Sequence, residues 1–258
     1  MKELGIQHKT AIITGASSGI GMATALKFAQ EKAKVMLVAR NTESLEKITT
    51  TIQNNNGTAD FFSADLTNET KSKELIQHTV ETYGGIDILV NSAGIIGSGT
   101  IENTTLANWD YMMNINLRSI FILCQQALPY LISSKGNIVN VSSVTGTRSF
   151  PNVLAYCVSK AGLDQFTRCT ALELASKGVR VNAVNPGVTL TQLHRNSGMD
   201  EQDYQTFLKR SKETHPLGRV GNPEEIADLI LFLASPHAAW ITGTTYSIDG
   251  GRAQTCAR

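Results

Sequence analysis

Disulfide and metal chemistry have little to work with in this chain. Its 258 residues hold four cysteines, Cys124, Cys157, Cys169 and Cys256, with no CxxC pair or other metal spacing. Three fall in apolar helical or strand context, where small buried thiols are expected. A reducing compartment suits such a set, so a cytoplasmic location is expected. No apolar run reaches the roughly 20 residues of a membrane span. The opening MKELGIQHKTAIITG lacks the apolar core of a signal peptide. The closing Cys256-Ala257-Arg258 is neither a prenylation box nor a peroxisomal tripeptide. Excess charge is missing too: 23 basic and 22 acidic residues leave a formal net charge of +1. Neither nucleic acid nor an anionic membrane is therefore expected as a partner. No linker, repeat or low-complexity stretch divides the chain, and residues 1–258 read as a single domain. What remains is an ordinary globular composition, 41% hydrophobic and 17% charged, long enough for a sizeable core.

The densest chemistry lies in Ser142 through Lys160, SSVTGTRSFPNVLAYCVSK. Tyr156 and Lys160 stand four apart, so a helix presents them on one face. An ammonium beside a phenol favours the phenolate and is expected to lower its pKa from about 10; three units would need roughly 4 kcal/mol. Tyr-x-x-x-Lys alone says little, since both residues are common on solvated surfaces. Its company says more. Ile138-Val139-Asn140-Val141 reads as a buried strand, which puts Ser142-Ser143 at a strand's carboxyl end. Open α/β sheets place ligands along that edge.

A second signal opens the chain. The strand Thr10-Ala11-Ile12-Ile13-Thr14 runs into Gly15-Ala16-Ser17-Ser18-Gly19-Ile20-Gly21, then a helix to about Glu31. Glycines permit a tight turn and close approach of backbone to phosphate, and the helix start offers unpaired N–H groups. Many glycine turns are only turns; the flanking strand and helix lift this one above that reading. The spacing is Gly-x-x-x-Gly-x-Gly. Together with Tyr-x-x-x-Lys it resembles the short-chain dehydrogenase/reductase family, whose turn reads Thr-Gly-x-x-x-Gly-x-Gly, here Thr14 through Gly21. The likeness runs along nearly the whole chain. It implies an α/β, three-layer Rossmann-type doubly wound fold with a seven-stranded parallel sheet.

The resemblance also implies a set of site residues. Gly15, Ser17, Ser18, Gly19, Ile20 and Gly21 would cradle a dinucleotide. Val35 to Ala39 reads as the second strand; Ala39 stands where NAD-preferring relatives carry Asp, and Arg40 follows. A guanidinium there accommodates a 2′-phosphate, so NADP(H) is the expected cofactor and NAD(H) the lesser one. Asp65 and Leu66 would meet the adenine, although Asp65 equally suits a turn before the next helix. Asn91-Ser92-Ala93-Gly94 resembles the family's Asn-Asn-Ala-Gly, whose first Asn stabilises the central sheet and whose Ala-Gly lets the nucleotide lie close; Asn91, Ala93 and Gly94 are expected beside the cofactor. Asn116, better placed than Asn114, is expected to bend its helix and hold a water of a proton relay. Ser143, chosen over Ser142 by its 13-residue spacing to Tyr156, would polarise a carbonyl. Tyr156 would pass the proton and Lys160 would bind ribose hydroxyls. Pro186-Gly187, Thr189 and Thr191 would grip the carboxamide.

Residues 188–216 form a long polar stretch, expected either as a substrate lid or as a pair of surface helices. His194 and His215 within it read as packing or surface groups. Arg148 and Phe150 are expected to edge the pocket. The nearest likeness is to 3-oxoacyl-thioester reductases. Of the two basic positions with which bacterial members dock acyl-carrier protein, Ser134 and Lys177 here, only one is basic. The expected activity is hydride transfer between nicotinamide and a ketone or secondary alcohol, with small ketones, steroids, retinoids and other isoprenoids open as substrates. A non-catalytic dinucleotide-binding regulator and a sugar-nucleotide epimerase or dehydratase are the competing readings. The C-terminal stretch resembles tetrameric members, so a homotetramer is expected.

Overall fold

The computed structural model describes residues 4–255, so Cys256 and the terminal tripeptide lie outside the described residues. Seven strands form one parallel sheet in the order β3-β2-β1-β4-β5-β6-β7. They are β1 (Thr10–Thr14), β2 (Lys34–Ala39), β3 (Thr58–Ser63), β4 (Ile88–Asn91), β5 (Asn137–Val141), β6 (Arg180–Pro186) and β7 (Thr245–Ile248). Helices α1 (Gly19–Gln30), α2 (Thr42–Asn54) and α3 (Glu69–Tyr83) follow the first three strands. Helices α4 (Leu106–Met113) and α5 (Ser119–Ser134) follow β4, and α6 (Leu154–Ala175) follows β5. After β6 come α7 (Leu193–Asn196), α8 (Glu201–Thr214) and α9 (Pro223–Ala234).

Side chains alternate across a strand, and both sheet faces are covered, so the central strands are apolar at nearly every position. Ile13, Val35, Leu37, Val90, Val139 and Val184 join the cluster that holds Phe28, Leu45, Ile226, Ile230 and Leu233 of α1, α2 and α9. Their neighbours Ile12, Met36, Val38, Leu89, Ile138 and Val181 join the opposite cluster, with Leu75, Leu123, Leu131, Leu163 and Leu174 of α3, α5 and α6. The result is the expected three-layer α/β/α arrangement.

The helix pair α4 and α5 is continuous through a π-helical turn, Asn114–Arg118. This 29-residue run, Leu106–Ser134, is long and apolar enough by composition to cross a membrane. Here its apolar face is committed to the core: Ile120, Leu123, Ala127 and Leu131 are buried under the sheet. The polar cost of the sheet's interior is met by asparagines: Asn91 Nδ2 donates to Asn140 Oδ1 at 2.9 Å, and Asn140 Nδ2 to Thr167 Oγ1 at 2.9 Å.

The last strand begins only at Thr245, and Ile241-Thr242-Gly243 stays outside it. Side chains tie that segment instead: Asn182 Nδ2 donates to Ile241 O, and Thr242 Oγ1 accepts from Val181 N. Three buried thiols are expected from sequence; among the described cysteines only Cys124 is buried, while Cys157 is half-buried and Cys169 is exposed on α6, where apolar neighbours in sequence do not mean apolar neighbours in space.

Candidate active site

A cavity of about 1740 Å³ runs along the carboxyl ends of the strands, from β3 to β6. It exceeds the roughly 300–1,000 Å³ of a drug-sized ligand site, and a dinucleotide with a second molecule is the scale that suits it. Gly15, Ser17, Ser18, Gly19, Ile20 and Gly21 line it, and so do Arg40, Asp65 and Leu66. Ala93, Gly94, Ser143, Tyr156 and Lys160 line it as well, with Pro186, Gly187, Thr189 and Thr191 on the β6 side.

The glycines of the first turn are demanded by space. Gly15 has φ +66°, and a Cβ there would lie 2.9 Å from the Ala93 backbone. A Cβ at Gly21 would lie 2.3 Å from Gly15 O, so only glycine lets α1 start this close to β1. Gly19, at φ +55°, faces the Thr191 side chain, which would sit 3.0 Å from a Cβ. Ser18 is the N-cap of α1 and makes no side-chain cap bond. A turn with backbone this close, ahead of a 12-residue helix, fits a pyrophosphate. The residues present therefore suit a dinucleotide.

Tyr156, in the first turn of α6, is buried and packs with Met112 and Ala155. Burial pushes its phenol up to about 12, and a hydrogen bond from Ser143 acts the other way. The expected lowering by Lys160 does not appear. The ammonium sits 5.8 Å from the ring centroid and donates instead to Val141 O at 2.8 Å. Desolvation outweighs it, because a phenolate buried among apolar side chains loses more hydration than a lysine otherwise engaged returns. Burial likewise pulls Lys160 down to about 8, with the Asp164 carboxylate opposing.

The two serines are separated by the geometry. Ser143 lines the cavity with Tyr156, favours its ionised form, and its Oγ accepts from Thr145 N at 3.1 Å. Ser142 Oγ turns back to donate to Lys160 O at 3.2 Å. Beneath them Asn185 Nδ2 bridges Ser143 O and Asp164 Oδ2, both at 2.8 Å. Asp164 is buried, which raises its pKa. This Asp164–Asn185 bracket was not anticipated; Asp164 stands four residues after Lys160, on the face that Tyr156 and Lys160 share.

Two expected residues lie behind the wall rather than in it. Asn91 is committed to Asn140 and to Cys124 Sγ at 3.4 Å, so it joins the sheet's polar interior and does not reach the cavity. Asn116 is fully buried in the π-helical turn. Its Oδ1 accepts from Ile95 N at 2.9 Å, and its Nδ2 donates to Ile95 O, Met112 Sδ and Ser159 Oγ. It thereby clamps the segment after Gly94. A Cβ on Gly94 would lie 3.2 Å from Asn116 Oδ1 and 3.5 Å from Lys160 Nζ.

At the edge of β3 the Asp65 carboxylate accepts from Thr67 N and Thr67 Oγ1, which is the turn role weighed above. Those bonds hold its pKa down, with a smaller contribution from Arg40. The stretch after β6 is a pair of helices, α7 and α8. Arg195 forks onto Glu201 and stacks 3.9 Å from the Tyr204 ring. Tyr204 is buried and its hydroxyl donates to Thr191 O at 3.2 Å. His215 is more than a packing group. Its Nδ1 lies 2.6 Å from Ser211 O, which makes that nitrogen the donor. Nε2 is then the acceptor for Val188 N at 3.2 Å. One imidazole so joins the end of α8 to the turn after Gly187.

Residues 15–253 match the protein-family model described as enoyl-(acyl carrier protein) reductase. A 3-oxoacyl-[acyl-carrier-protein] reductase of Thermotoga maritima is 40% identical over 247 residues, covering 95% of this chain and 98% of that protein. The chain belongs to the short-chain dehydrogenase/reductase family. A family member of unknown function from Caenorhabditis elegans, solved with cofactor, superposes with a TM-score of 0.92 at 38% identity, covering 97% of both chains. The L-sorbose reductase of Gluconobacter frateurii, solved with NADPH and L-sorbose, superposes with a TM-score of 0.91 at 29% identity, covering 98% of this chain and 99% of that one. The protein is thus a member of a family of oxidoreductases that bind a nicotinamide cofactor.

The buried lysine yields a prediction. Lys160 titrates near 8 in the fold and near about 10.4 in an unfolded chain. Between those values the unfolded chain binds the extra proton, so this site's contribution to stability grows as pH rises and is lost as pH falls to 8. Lys160→Met is expected to melt above the wild type at about pH 7, by roughly 2–4 °C for each kcal/mol recovered. The two should converge near pH 10.5, since about 10.4 is where the unfolded lysine loses its proton. Melting curves across that range test this, and a variant less stable at pH 7 contradicts it.

Proposed function

We propose that the protein is an NADP(H)-dependent carbonyl reductase, running in reverse as a secondary-alcohol dehydrogenase. The observation that carries the reading is the convergence of Ser143, Tyr156 and Lys160 on one cavity, which begins at the glycine turn. A carbonyl oxygen placed between the two hydroxyls accepts a hydrogen bond from each, and both donors stabilise the charge that develops on it. A nicotinamide, when bound, supplies or takes up the hydride. Tyr156 holds its proton through the neutral range, because burial keeps the phenol near 12. That is the state required of a group that donates to a developing alkoxide. Lys160 brings a positive charge to the same pocket and lies within reach of Gly94, where ribose hydroxyls would be received. Asn116 acts by holding Ile95 and Ser159; the two residues flank this pair. Asn185 and Asp164 fix the Ser143 main chain.

Gly15 through Gly21 would hold the pyrophosphate, and Thr189 and Thr191 the nicotinamide side. The preference for NADP(H) rests on Arg40, exposed on the cavity wall beyond β2, with Ala39 in place of an acid. Residues 188–216, with α7 and α8, form the lid of a single-domain enzyme. Ser134 carries no charge and spends its hydroxyl on Ile86 O and Leu131 O, so a small carbonyl compound suits the site better than a carrier-protein thioester. Trp240, 99% exposed, and Phe232 of α9 flank β7 with apolar surface, and a homotetramer would cover them. The cytoplasm is the compartment in which we place it, in keeping with three unpaired thiols among the described residues.

Three outcomes follow from this reading. Tyr156→Phe should lower kcat by at least about 10²-fold, the scale of acid–base catalysis, with NADPH affinity retained; near-normal turnover would remove the assignment. Steady-state kinetics should give a higher kcat/KM with NADPH than with NADH, and Arg40→Ala should narrow the ratio by about tenfold or more, the scale of one charge-assisted hydrogen bond. Equal use of both cofactors by the wild type would overturn that preference. Sedimentation at micromolar concentration should give a tetramer that Trp240→Glu weakens; a wild-type monomer would refute the assembly.

A further inference from the structure

Hydrogen bonds from several directions tie down the turn after β6. Gly187 N donates to Ile248 O at 3.1 Å, Gly221 N to Val188 O at 2.9 Å, and Leu190 N to Gly221 O at 2.9 Å. Those bonds join main chain to main chain. Another runs from Val188 N to Nε2 of His215 at 3.2 Å, and its acceptor is a side chain that titrates. His215 follows the last residue of α8 and is 3% exposed. Its Nδ1 lies 2.6 Å from Ser211 O, a carbonyl of the helix's last turn. A carbonyl only accepts, so Nδ1 holds the proton; the N–H of Val188 on the other side requires that Nε2 hold none. Both ring nitrogens are committed, and the neutral imidazole is the form that satisfies them.

Space enforces the same arrangement. A Cβ on Gly187 would lie 2.9 Å from His215 Nε2 and 2.9 Å from the Cα of Asp249, so the ring packs directly against the main chain of the turn. A proton added at Nε2 sets N–H against N–H at this contact, and Val188 N loses its acceptor. Burial holds the pKa of the ring below the usual histidine value, and the Ser211 carbonyl works the other way. Two charged groups bear on the ring from the segment after β7: Arg252 adds to the lowering and Asp249 opposes it. On α8 itself Thr214 Oγ1 stands 3.4 Å from Nδ1. The neutral imidazole therefore prevails near pH 7, and the charged form is reached as the medium turns acid.

Val188, Thr189 and Thr191 line the cavity on the side assigned above to the nicotinamide. We propose that His215 is a positioning residue for that end of the cofactor: its neutral imidazole holds the turn after Gly187 in the form that receives the dinucleotide, and protonation at Nε2 releases it. The proposal rests on the reductase reading above. His215 is not on the cavity wall and acts through Val188, whose neighbour Thr189 is on it. Ser211 and Thr214, beside the ring's other nitrogen, line the cavity too, so the imidazole stands behind the wall where lid helix and turn meet. The linkage is reciprocal: a neutral ring favours binding, and bound cofactor favours the neutral ring. Its sign is fixed. Binding weakens as the pH falls through the lowered pKa of His215, and above histidine's ordinary value of about 6.5 this group leaves binding unchanged.

The test is NADP⁺ binding, measured by titration calorimetry from pH 8 to pH 5 on the wild type, His215→Gln and His215→Leu. A glutamine carbonyl accepts from Val188 N without titrating, whereas leucine accepts nothing. At pH 8 His215→Leu should bind about tenfold more weakly than the wild type, the scale of a hydrogen bond lost with its donor left unpaired. His215→Gln should recover most of that loss. At pH 5 the wild type should have lost about threefold or more of its advantage over His215→Leu, and His215→Gln should bind more tightly than the wild type. The cofactor's own 2′-phosphate titrates with a pKa of about 6, but equally for the three proteins, so ratios at each pH isolate the histidine. Binding near pH 6, repeated in buffers of different ionisation enthalpy, should release more protons from the wild type than from His215→Gln. Ratios that stay constant with pH, equal proton counts, or wild-type affinity in His215→Leu at pH 8 would each overturn the proposal and leave the reductase reading standing. If His215→Leu fails to fold, the wild type and His215→Gln decide the matter through the crossover and the proton count. A wild type that binds neither NADP⁺ nor NAD⁺ at any pH would defeat the reductase reading, and the assignment of His215 with it.

Discussion

A lysine ammonium buried against the carbonyl of Val141 ties α6 to the end of β5. Everything in the pocket depends on that tie. It holds the first turns of α6 down on the sheet edge, and so sets Tyr156 beside Ser143, which leaves the same strand two residues after Val141. Burying an ammonium is costly unless it is paired. The cost is visible in the lowered pKa, and the Val141 carbonyl and nearby Asp164 offset part of it. A methionine would fill the space more cheaply. A lysine there instead brings a charge to the cavity that Ser143 and Tyr156 also line.

The same logic extends behind the wall. Asn91, Asn140, Asn182 and Asn185 are all buried in strands, where an apolar residue would pack as well. Each links main chain or side chain across neighbouring elements, and each bond is lost if the strands shift register. Asn185 is the telling case: one amide reaches both Ser143 O and Asp164 Oδ2. It couples β6 to the loop after β5 and to α6 at one point. A hydrogen-bond lattice of this kind contributes less to stability than apolar packing would, but it narrows the positions that Ser143 and Tyr156 can take relative to each other.

Much of this was legible in the chain because it is local. A glycine turn between a strand and a helix, and a tyrosine four residues before a lysine, are patterns of spacing. Spacing survives folding. The strands were legible because burial on both faces leaves nearly continuous apolar runs. What failed to show was whatever depends on competition between environments. The lysine was expected to lower the tyrosine pKa; burial raises it, and spacing carries no measure of burial. Asn91 was expected both to stabilise the central sheet and to stand beside the cofactor; its bonds to Asn140 and Cys124 serve the first, and alternation along β4 turns its side chain toward α5 and away from the cavity. His215 looked like no more than a packing or surface group because nothing near it in sequence shows that Val188 will stand opposite its Nε2. Cys169 sits among apolar residues in sequence and on an exposed helix face in space.

The side chains that meet along the cavity are the extreme of that blindness. Arg148, Arg210 and Arg252 are separated by 62 and 42 residues, yet the sheet order brings their segments to one cavity. Arg148 is held by carbonyls of the C-terminal turn, and Arg252 is buried over Phe150. Arg210 rides on α8, whose last turn is joined through His215 to the Val188 main chain. A displacement of α8 is therefore felt at the turn after Gly187, on a cavity that Ser143 and Tyr156 also line. The position of this helix and the shape of the space beside the two hydroxyls are in this way one equilibrium.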